Sequence, residues 1–450
     1  MEKNKQSRKD FLSTLALGSV GVISASSFLT SCGSTNTISE PFVSMSEQAP
    51  DGETLRAGLV GCGGRGTGAA VNFLDAGPNL EIVALADAFQ DQLDKCRTNL
   101  ERARGVEIAD ENCFVGFDAY QKVIDSGVDL VLFATPPYFR PEHVKAAIDA
   151  GKHVFQEKPV AVDPVGARLM EETAAIAREK NLCMVSGTIR RYQKDYVETQ
   201  RRVREGFIGE VVGADIKRNG GALWWVERKP GWSDMEYMLR NWGNFAWLSG
   251  DHIVEMFIHE IDVMSWHVGS HPVTAFGYGG RQQRISGDQF DQFSIVYEYE
   301  NGKKVHCATR QINDCDNGRE QVITGTKGYA DASGTLYDHD GNVIWEYPHP
   351  DEGTESMWTV PNPSVQEHVE LITGIRTGNY INDSDEQIKS TRIAIMGRMA
   401  AYTGREITWD EILTSDLRLG PSSVEFGRSY EIPDEPPKVG TAPAPANRYS

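Results

Sequence analysis

Apolar runs of strand length alternate with helical periods through the first half of the chain. Leu55–Val60 is one such run, Leu80–Ala86 a second, and Val128–Ala134 (VDLVLFA) a third, apolar at nearly every position as a strand buried on both faces requires. Residues that suit a helix lead from the first run to Ala76. Pro141–Ala150 opens on proline and is capped by Gly151, and a longer helix covers Pro164–Lys180. His153–Gln156 and Leu182–Ser186 complete the strands. Strands alternating with helices predict a parallel, doubly wound α/β sheet that binds its ligands at the strand carboxyl ends. From about residue 211 the pattern changes. Val211–Arg218, Val273–Gly279, Phe293–Tyr299, Lys304–Arg310 and Gln321–Gly325 read as strands, and the alternation in Phe293–Tyr299 suits a sheet with one solvated face. Helices are predicted near 250–267, 363–376 and 385–403. No repeat of solenoid or propeller length is visible.

The two ends of the chain differ from this body. Lys3, Lys5, Arg8 and Lys9 form a basic head, and Phe11–Ser39 carries no charge. Such a head followed by a mildly apolar stretch is an export signal. Gly18, Gly21 and repeated serines weaken the alternative of a membrane span. Leu29-Thr30-Ser31-Cys32 resembles the bacterial lipobox, which implies a signal over 1–31 and a lipid on Cys32. Ser7–Leu12 is similar to a twin-arginine signal with Lys9 as its second basic residue. Residues 32–53 then read as a flexible tether, 54–188 as the dinucleotide-binding domain, 189–425 as a substrate and oligomerisation domain, and 426–450 as an extended arm. Five prolines after Glu431 exclude a helix or central strand there.

Composition narrows the classes. Across 450 residues, 40% are hydrophobic and 24% charged, so the chain has a core. Against 64 acidic residues stand 45 basic ones, a net charge of −19 that argues against nucleic acid or an anionic membrane face as partner. The 7 cysteines stand singly without a CxxC pair, so neither a disulfide framework nor a thiolate zinc site is indicated.

Candidate chemistry begins where the first strand ends. Gly61-Cys62-Gly63-Gly64-Arg65-Gly66 is G-x-G-x-x-G between a strand and a helix, and the second strand closes on Asp87. Gly61 permits the turn, Gly63 lets backbone N–H groups approach a pyrophosphate, and Gly66 lets helix and strand pack. Gly64 and Arg65 belong to the same loop. Asp87 would accept hydrogen bonds from a ribose 2′-OH and repel a 2′-phosphate, which favours NAD over NADP. Thr135, Pro136, His143, Glu157 and Lys158 follow later strands and are placed on the cofactor rim.

The glycine loop, the ATPP-x5-H stretch from Ala134 to His143, and the run Gly151-Lys152-His153-Val154-Phe155-Gln156-Glu157-Lys158-Pro159 together resemble the glucose–fructose oxidoreductase/inositol dehydrogenase (Gfo/Idh/MocA) superfamily. The resemblance extends through Gly206–Glu210 to about residue 415. It implies a second domain built on a large, mostly antiparallel open sheet, and homo-oligomers of two or four chains. It also implies that Lys158 and the histidine of an acid-x3-His-x2-Asp pattern are the acid/base pair at the oxidised carbon. That pattern is Glu255, His259 and Asp262 here. On one helix these lie on one face, where two carboxylates would fix the His259 tautomer and raise its pKa. Two other readings of the segment are a metal site formed by His252, Glu255 and His259, and a merely structural histidine. The alternative for Lys158 is a surface lysine ending a strand. Trp224, Trp225, Trp232, Trp242 and Trp247 crowd 24 residues. Their rings suit the C–H faces of a sugar, and Trp224 and Trp225 are taken as substrate contacts together with Arg191, Tyr192 and Asp262. Arg190, Arg218, Asn219, Arg240 and Asn241 could bind hydroxyls, and packing is the alternative for the tryptophans.

The expectation is an exported, lipid-anchored NAD-dependent oxidoreductase of a sugar or glycoside, in the periplasm or cell envelope, with no metal. Free NAD is scarce outside the cytoplasm, so the cofactor should be loaded before export, held tightly and recycled by a second substrate. The alternatives are an NAD-dependent glycosidase working by oxidation, elimination, hydration and reduction, and a sugar-binding lipoprotein on the same scaffold.

Overall fold

The computed structural model describes residues 46–348 and 362–430. The export signal with Cys32, most of the tether and the final 20 residues lie outside the described residues. Among the described residues no helix is long and apolar enough to cross a membrane.

The first half follows the alternation of the sequence: β1 (Leu55–Val60), α1 (Gly64–Asp75), β2 (Leu80–Asp87), α2 (Gln90–Arg104), β3 (Cys113–Val115), α3 (Ala119–Asp125), β4 (Leu130–Phe133), α4 (Arg140–Asp149), β5 (His153–Gln156), α5 (Pro164–Glu179) and β6 (Met184–Ser186). These six strands pair in the order β3-β2-β1-β4-β5-β6, all parallel. The order reverses between β1 and β4, so the loop after β1 opens at the crevice where such sheets bind ligands.

The second half adds α6 (Lys194–Arg204), β7 (Val211–Gly220), α7 (Asp234–Arg240), α8 (Ala246–Ser249), α9 (His252–Glu255), α10 (Ile258–Val268), β8 (Thr274–Gly280), β9 (Gln292–Glu298), β10 (Lys304–Gln311), β11 (Gly318–Gly325), β12 (Gly328–Asp331), β13 (Thr335–Asp338), β14 (Val343–Glu346), α11 (Pro363–Thr377), α12 (Ser384–Thr403), β15 (Ile407–Thr408) and α13 (Trp409–Thr414). Nine strands form one sheet, β14-β13-β12-β11-β7-β10-β9-β8-β15, in which only β7 and β10 run parallel. The predicted alternation sets its faces. Phe293, Ile295 and Tyr297 are buried with residues of α10 and α12, while Ser294, Val296 and Glu298 point away. α11, late in the chain, buries Val369, Leu371 and Ile372 in the core of the first sheet.

The single helix predicted over 250–267 is two helices. α9 ends at Glu255, Met256 and Phe257 intervene, and α10 starts at Ile258. The Phe257 N–H turns back to the His252 carbonyl, and its ring is fully buried in the core. The carbonyls of Glu255 and Met256, which a continuous helix would have paired, accept from Lys158 Nζ and Arg218 Nη1 instead. Glu255, His259 and Asp262 therefore do not form one helical face.

Candidate active site

A cavity of about 560 Å³ opens at the carboxyl ends of β1, β2 and β4, lined by Gly61, Gly63, Gly64, Asp87, Thr135, Pro136 and His143 among others. A methyl group on Gly61, whose φ is +98°, would lie 2.7 Å from the Ala134 carbonyl carbon, and one on Gly66 would lie 1.8 Å from the Gly61 oxygen. A methyl on Gly63 or Gly64 would meet nothing within 4 Å among the described residues. The loop is thus closed against the sheet and open toward the cavity. α1 begins without a side-chain cap and without an acidic residue in its first turn, which leaves its N–H groups to an anion.

Asp87 is set by two backbone donors, Cys62 N–H at 2.7 Å and Phe89 N–H at 2.9 Å. Its burial raises its pKa against the opposing pull of those donors. Beside the cavity, Thr135 Oγ1 and His143 Nδ1 are buried without hydrogen-bond partners among the described residues. His143 stacks on Tyr120 with ring centroids 4.0 Å apart, and burial lowers its pKa to about 3, so it is neutral. A dinucleotide fits this set: N–H groups for the pyrophosphate, a carboxylate for a ribose, and orphaned polar atoms for its edges. Asp87 should favour NAD over NADP by at least about tenfold, or ~1.4 kcal/mol. Calorimetric titration giving equal or tighter NADP binding would overturn that role.

Arg65 leaves the loop sideways. It pairs with Glu157 and, at 3.3 Å, with the fully buried Glu367 of α11, whose pKa burial pushes well above the usual carboxylate value. Arg65 and Glu157 therefore tie the loop to β5 and α11.

Beyond this rim lies the second group. Lys158 Nζ donates to the Glu255 carbonyl at 2.5 Å and to Glu255 Oε1 at 2.6 Å, so both residues are held by one another. His259 is half-buried, and its Nδ1 has no hydrogen-bond partner among the described residues. Its pKa lies well below the ordinary 6.5, first because of burial and then because Lys158, Arg190, Arg218 and Arg319 all act on it. The expected raised pKa is thereby corrected: the carboxylates that were to flank His259 serve other cations. Asp262 is buried, accepts from Arg191 Nε and Nη2 at 2.9 Å and from Ser390, and holds that part of α10 to α12. Tyr192 is buried with its hydroxyl on Asp383 at 2.9 Å. Asp262 and Tyr192 are framework residues, and Arg191 is committed to Asp262 and Glu386, so none of the three is placed as a sugar contact.

Glu260 escaped the sequence reading. It is fully buried beside His259 and pairs with Arg218 at 3.3 Å and Arg319 at 2.9 Å. The register Arg319↔Arg218 sets the two cations side by side on neighbouring strands, which no local pattern reveals. The tryptophans divide between the dinucleotide cavity and the core. Trp224, Trp232 and Trp242 line the dinucleotide cavity, Trp225 packs edge-on to Tyr237, and Trp247 is fully buried against Tyr138.

A neutral His259 changes the expected pH response. A base must be unprotonated, and the lowered pKa keeps it so on the acid side. The kcat/KM profile should stay flat down through pH 6.5, the ordinary histidine value, and fall only below it. An acid limb at or above 6.5 would mean that His259 is held as an imidazolium.

A parallel dinucleotide-binding sheet joined to a large open sheet, with a lysine and a neutral histidine where they meet, defines a two-domain dehydrogenase-type protein. Comparison with known families makes the assignment specific. Residues 55–187 match the Gfo/Idh/MocA oxidoreductase family, NAD-binding Rossmann fold, and residues 196–331 match its C-terminal domain. The chain belongs to this family, and its dinucleotide is NAD. It is similar to 2,7-anhydro-N-acetylneuraminate hydratase of Escherichia coli, 28% identical over 230 residues, 50% of this chain and 57% of the enzyme's length. It is also similar to inositol 2-dehydrogenase of Salmonella typhimurium, 26% identical over 286 residues, 62% of this chain and 74% of that enzyme. The crystal structure of scyllo-inositol dehydrogenase from Lactobacillus casei with NAD(H) and scyllo-inositol superposes with a TM-score of 0.58 at 19% identity, covering 79% of this chain and 99% of that one.

Proposed function

We propose that the protein is an NAD-dependent oxidoreductase that converts one hydroxyl of a sugar or glycoside to a ketone, holds its cofactor tightly and works by a ping-pong cycle. The observation that carries this reading is the pair formed by Lys158, locked on Glu255, and neutral His259 at the junction of the two sheets. NAD, when bound, supplies the two-electron acceptor. The chain's own residues handle the proton: His259 takes it from the hydroxyl, and the Lys158 ammonium steadies the oxygen as negative charge develops there. Glu255 positions Lys158. A similar chain named for inositol oxidation supports a polyol substrate. The similarity to a hydratase supports the second reading, a glycosidase whose cofactor is oxidised and reduced within one turnover. The test is mass spectrometry of the protein as purified for NAD, then of products from a glycoside panel. Keto-sugar supports the oxidoreductase. Released aglycone without net NADH supports the glycosidase, and neither product would sink both.

We further propose that the chain is exported and anchored by a lipid on Cys32. Labelled palmitate should enter the wild type and not Cys32→Ala; absence of label from the wild type would refute the anchor. A homo-oligomer is proposed through the open sheet face, where Phe276 is 52% and Tyr278 68% exposed on β8. Light scattering at monomer mass would remove that proposal.

A further inference from the structure

Resting on the reading of the cavity as the NAD site, we infer that residues 221–242 and 424–430 form a latched cover over the adenosine half of the cofactor, with Arg240 and Asp91 as the latch. The cavity has a floor and a roof from distant parts of the chain. Its floor is the glycine loop, Asp87, Phe89 and Phe117; its roof is Trp224, Trp232, Arg240, Trp242 and Val424. Asp87 marks the adenosine ribose end, because it closes the second strand of the parallel sheet. The roof residues at that end therefore cover adenosine rather than the reacting carbon, which belongs beside Lys158 and His259.

One fastening of the roof to the floor is polar. Arg240 Nη1 and Nη2 reach the two carboxylate oxygens of Asp91 at 3.0 and 2.9 Å, and its Nε reaches Glu236 at 2.9 Å. Its guanidinium also lies 4.1 Å from the Phe89 ring and 4.9 Å from the Trp232 ring, so it joins one ring of the floor to one of the roof. Asp91 stands in the first turn of α2, just beyond Phe89. A two-pronged contact of this kind is stronger and more directional than an ordinary surface pair.

The roof loop has a fixed frame and a second strap. Asn241 both accepts from the Val226 N–H at 2.8 Å and donates to its carbonyl at 3.0 Å, and Asn244 Nδ2 donates to the Trp224 carbonyl at 2.9 Å. The loop is thus tied to the end of α7. Residue Phe426, expected to begin an extended arm, stacks on Phe117 at 4.5 Å and tilts against Phe89 at 5.7 Å. The Tyr430 N–H bonds Asp234 of α7 at 3.0 Å, so the strap and the loop hold each other. A dinucleotide under this roof leaves only after the Arg240–Asp91 contact opens. Retention through successive turnovers follows, which is what a cofactor carried outside the cytoplasm needs.

The test measures release with no sugar present. Wild-type protein loaded with NADH is mixed with excess NAD, and the loss of NADH fluorescence gives the release rate. Arg240→Ala and Asp91→Ala should each speed release about tenfold or more, equivalent to ~1.4 kcal/mol. Phe426→Ala should do the same through the other strap. Asp91 is 59% exposed, so its removal leaves the first sheet intact even where Arg240→Ala folds poorly. Asp94→Ala, on the same helix and away from Arg240, should release at the wild-type rate. Release within twofold of wild type for both latch variants would overturn the proposal. The catalytic reading fails separately: no keto-sugar together with faster release in the variants leaves the latch standing. Keto-sugar with unchanged release removes the latch alone. A wild type that binds no NADH would remove both.

Discussion

Lys158→Ala and His259→Ala should each lose turnover by about 10²–10⁴-fold, the range for removing a positioned acid or base. Both should keep their fold and their NAD, because neither residue lines the cavity under the glycine loop. The two losses have different shapes. Without Lys158 the developing alkoxide lacks its cation, and Glu255 is left as a half-buried carboxylate whose partner is gone. Without His259 the proton has no acceptor, and four cations lose only a neutral neighbour. A structural histidine would show the reverse, with lower thermal stability and yield but unchanged turnover per folded molecule. A metal ligand would show loss to chelators and recovery with added divalent ions. Among the described residues no three His, Cys, Asp or Glu side chains are grouped to hold an ion. His252 turns its Nδ1 to the Phe290 carbonyl at 3.2 Å. Near-wild-type turnover in both variants would remove the catalytic assignment and leave the dinucleotide site.

Gly66→Ala should weaken NAD binding at least tenfold and lower the unfolding midpoint. Its methyl would stand 1.8 Å from the Gly61 carbonyl oxygen, which is backbone and cannot rotate away. Either α1 shifts from β1 or the turn opens, at a cost of about 1–3 kcal/mol or more by the measure of overpacked sites. Gly63→Ala separates the two uses of glycine. Its methyl meets no protein atom within 4 Å and projects where the loop faces the ligand. That variant should unfold like the wild type and still bind NAD more weakly. Equal stability for Gly66→Ala, measured by calorimetric unfolding, would show that the loop is not packed as described.

Much of the fold was readable along the chain because it rests on local periods. A run such as VDLVLFA has one burial solution, and G-x-G-x-x-G between a strand and a helix has one common use. The second sheet was legible as alternating strands, although its 9-strand order and its one parallel pair were not. At the site, the family resemblance pointed to Lys158, Glu255 and His259, yet helical spacing misread their arrangement. Helical spacing placed both carboxylates around the histidine. The break after Glu255 turned that carboxylate and its own carbonyl to Lys158, and Asp262 went to Arg191.

By itself the sequence determined the doubly wound domain and the glycine loop with Asp87, each of which depends on neighbours within one or two elements, and its resemblance to the family pointed to Lys158 and His259. Tertiary structure decided which charges pair and what covers the cofactor. Lys158 and Glu255 are 97 positions apart, Arg240 and Asp91 149, and Arg65 and Glu367 302. A carboxylate at a given spacing has many cations within reach of a folding chain, and only the packed geometry selects one. The same packing lowered the His259 pKa that helical spacing led one to expect raised, because burial and the surrounding cations outweigh carboxylates that face elsewhere.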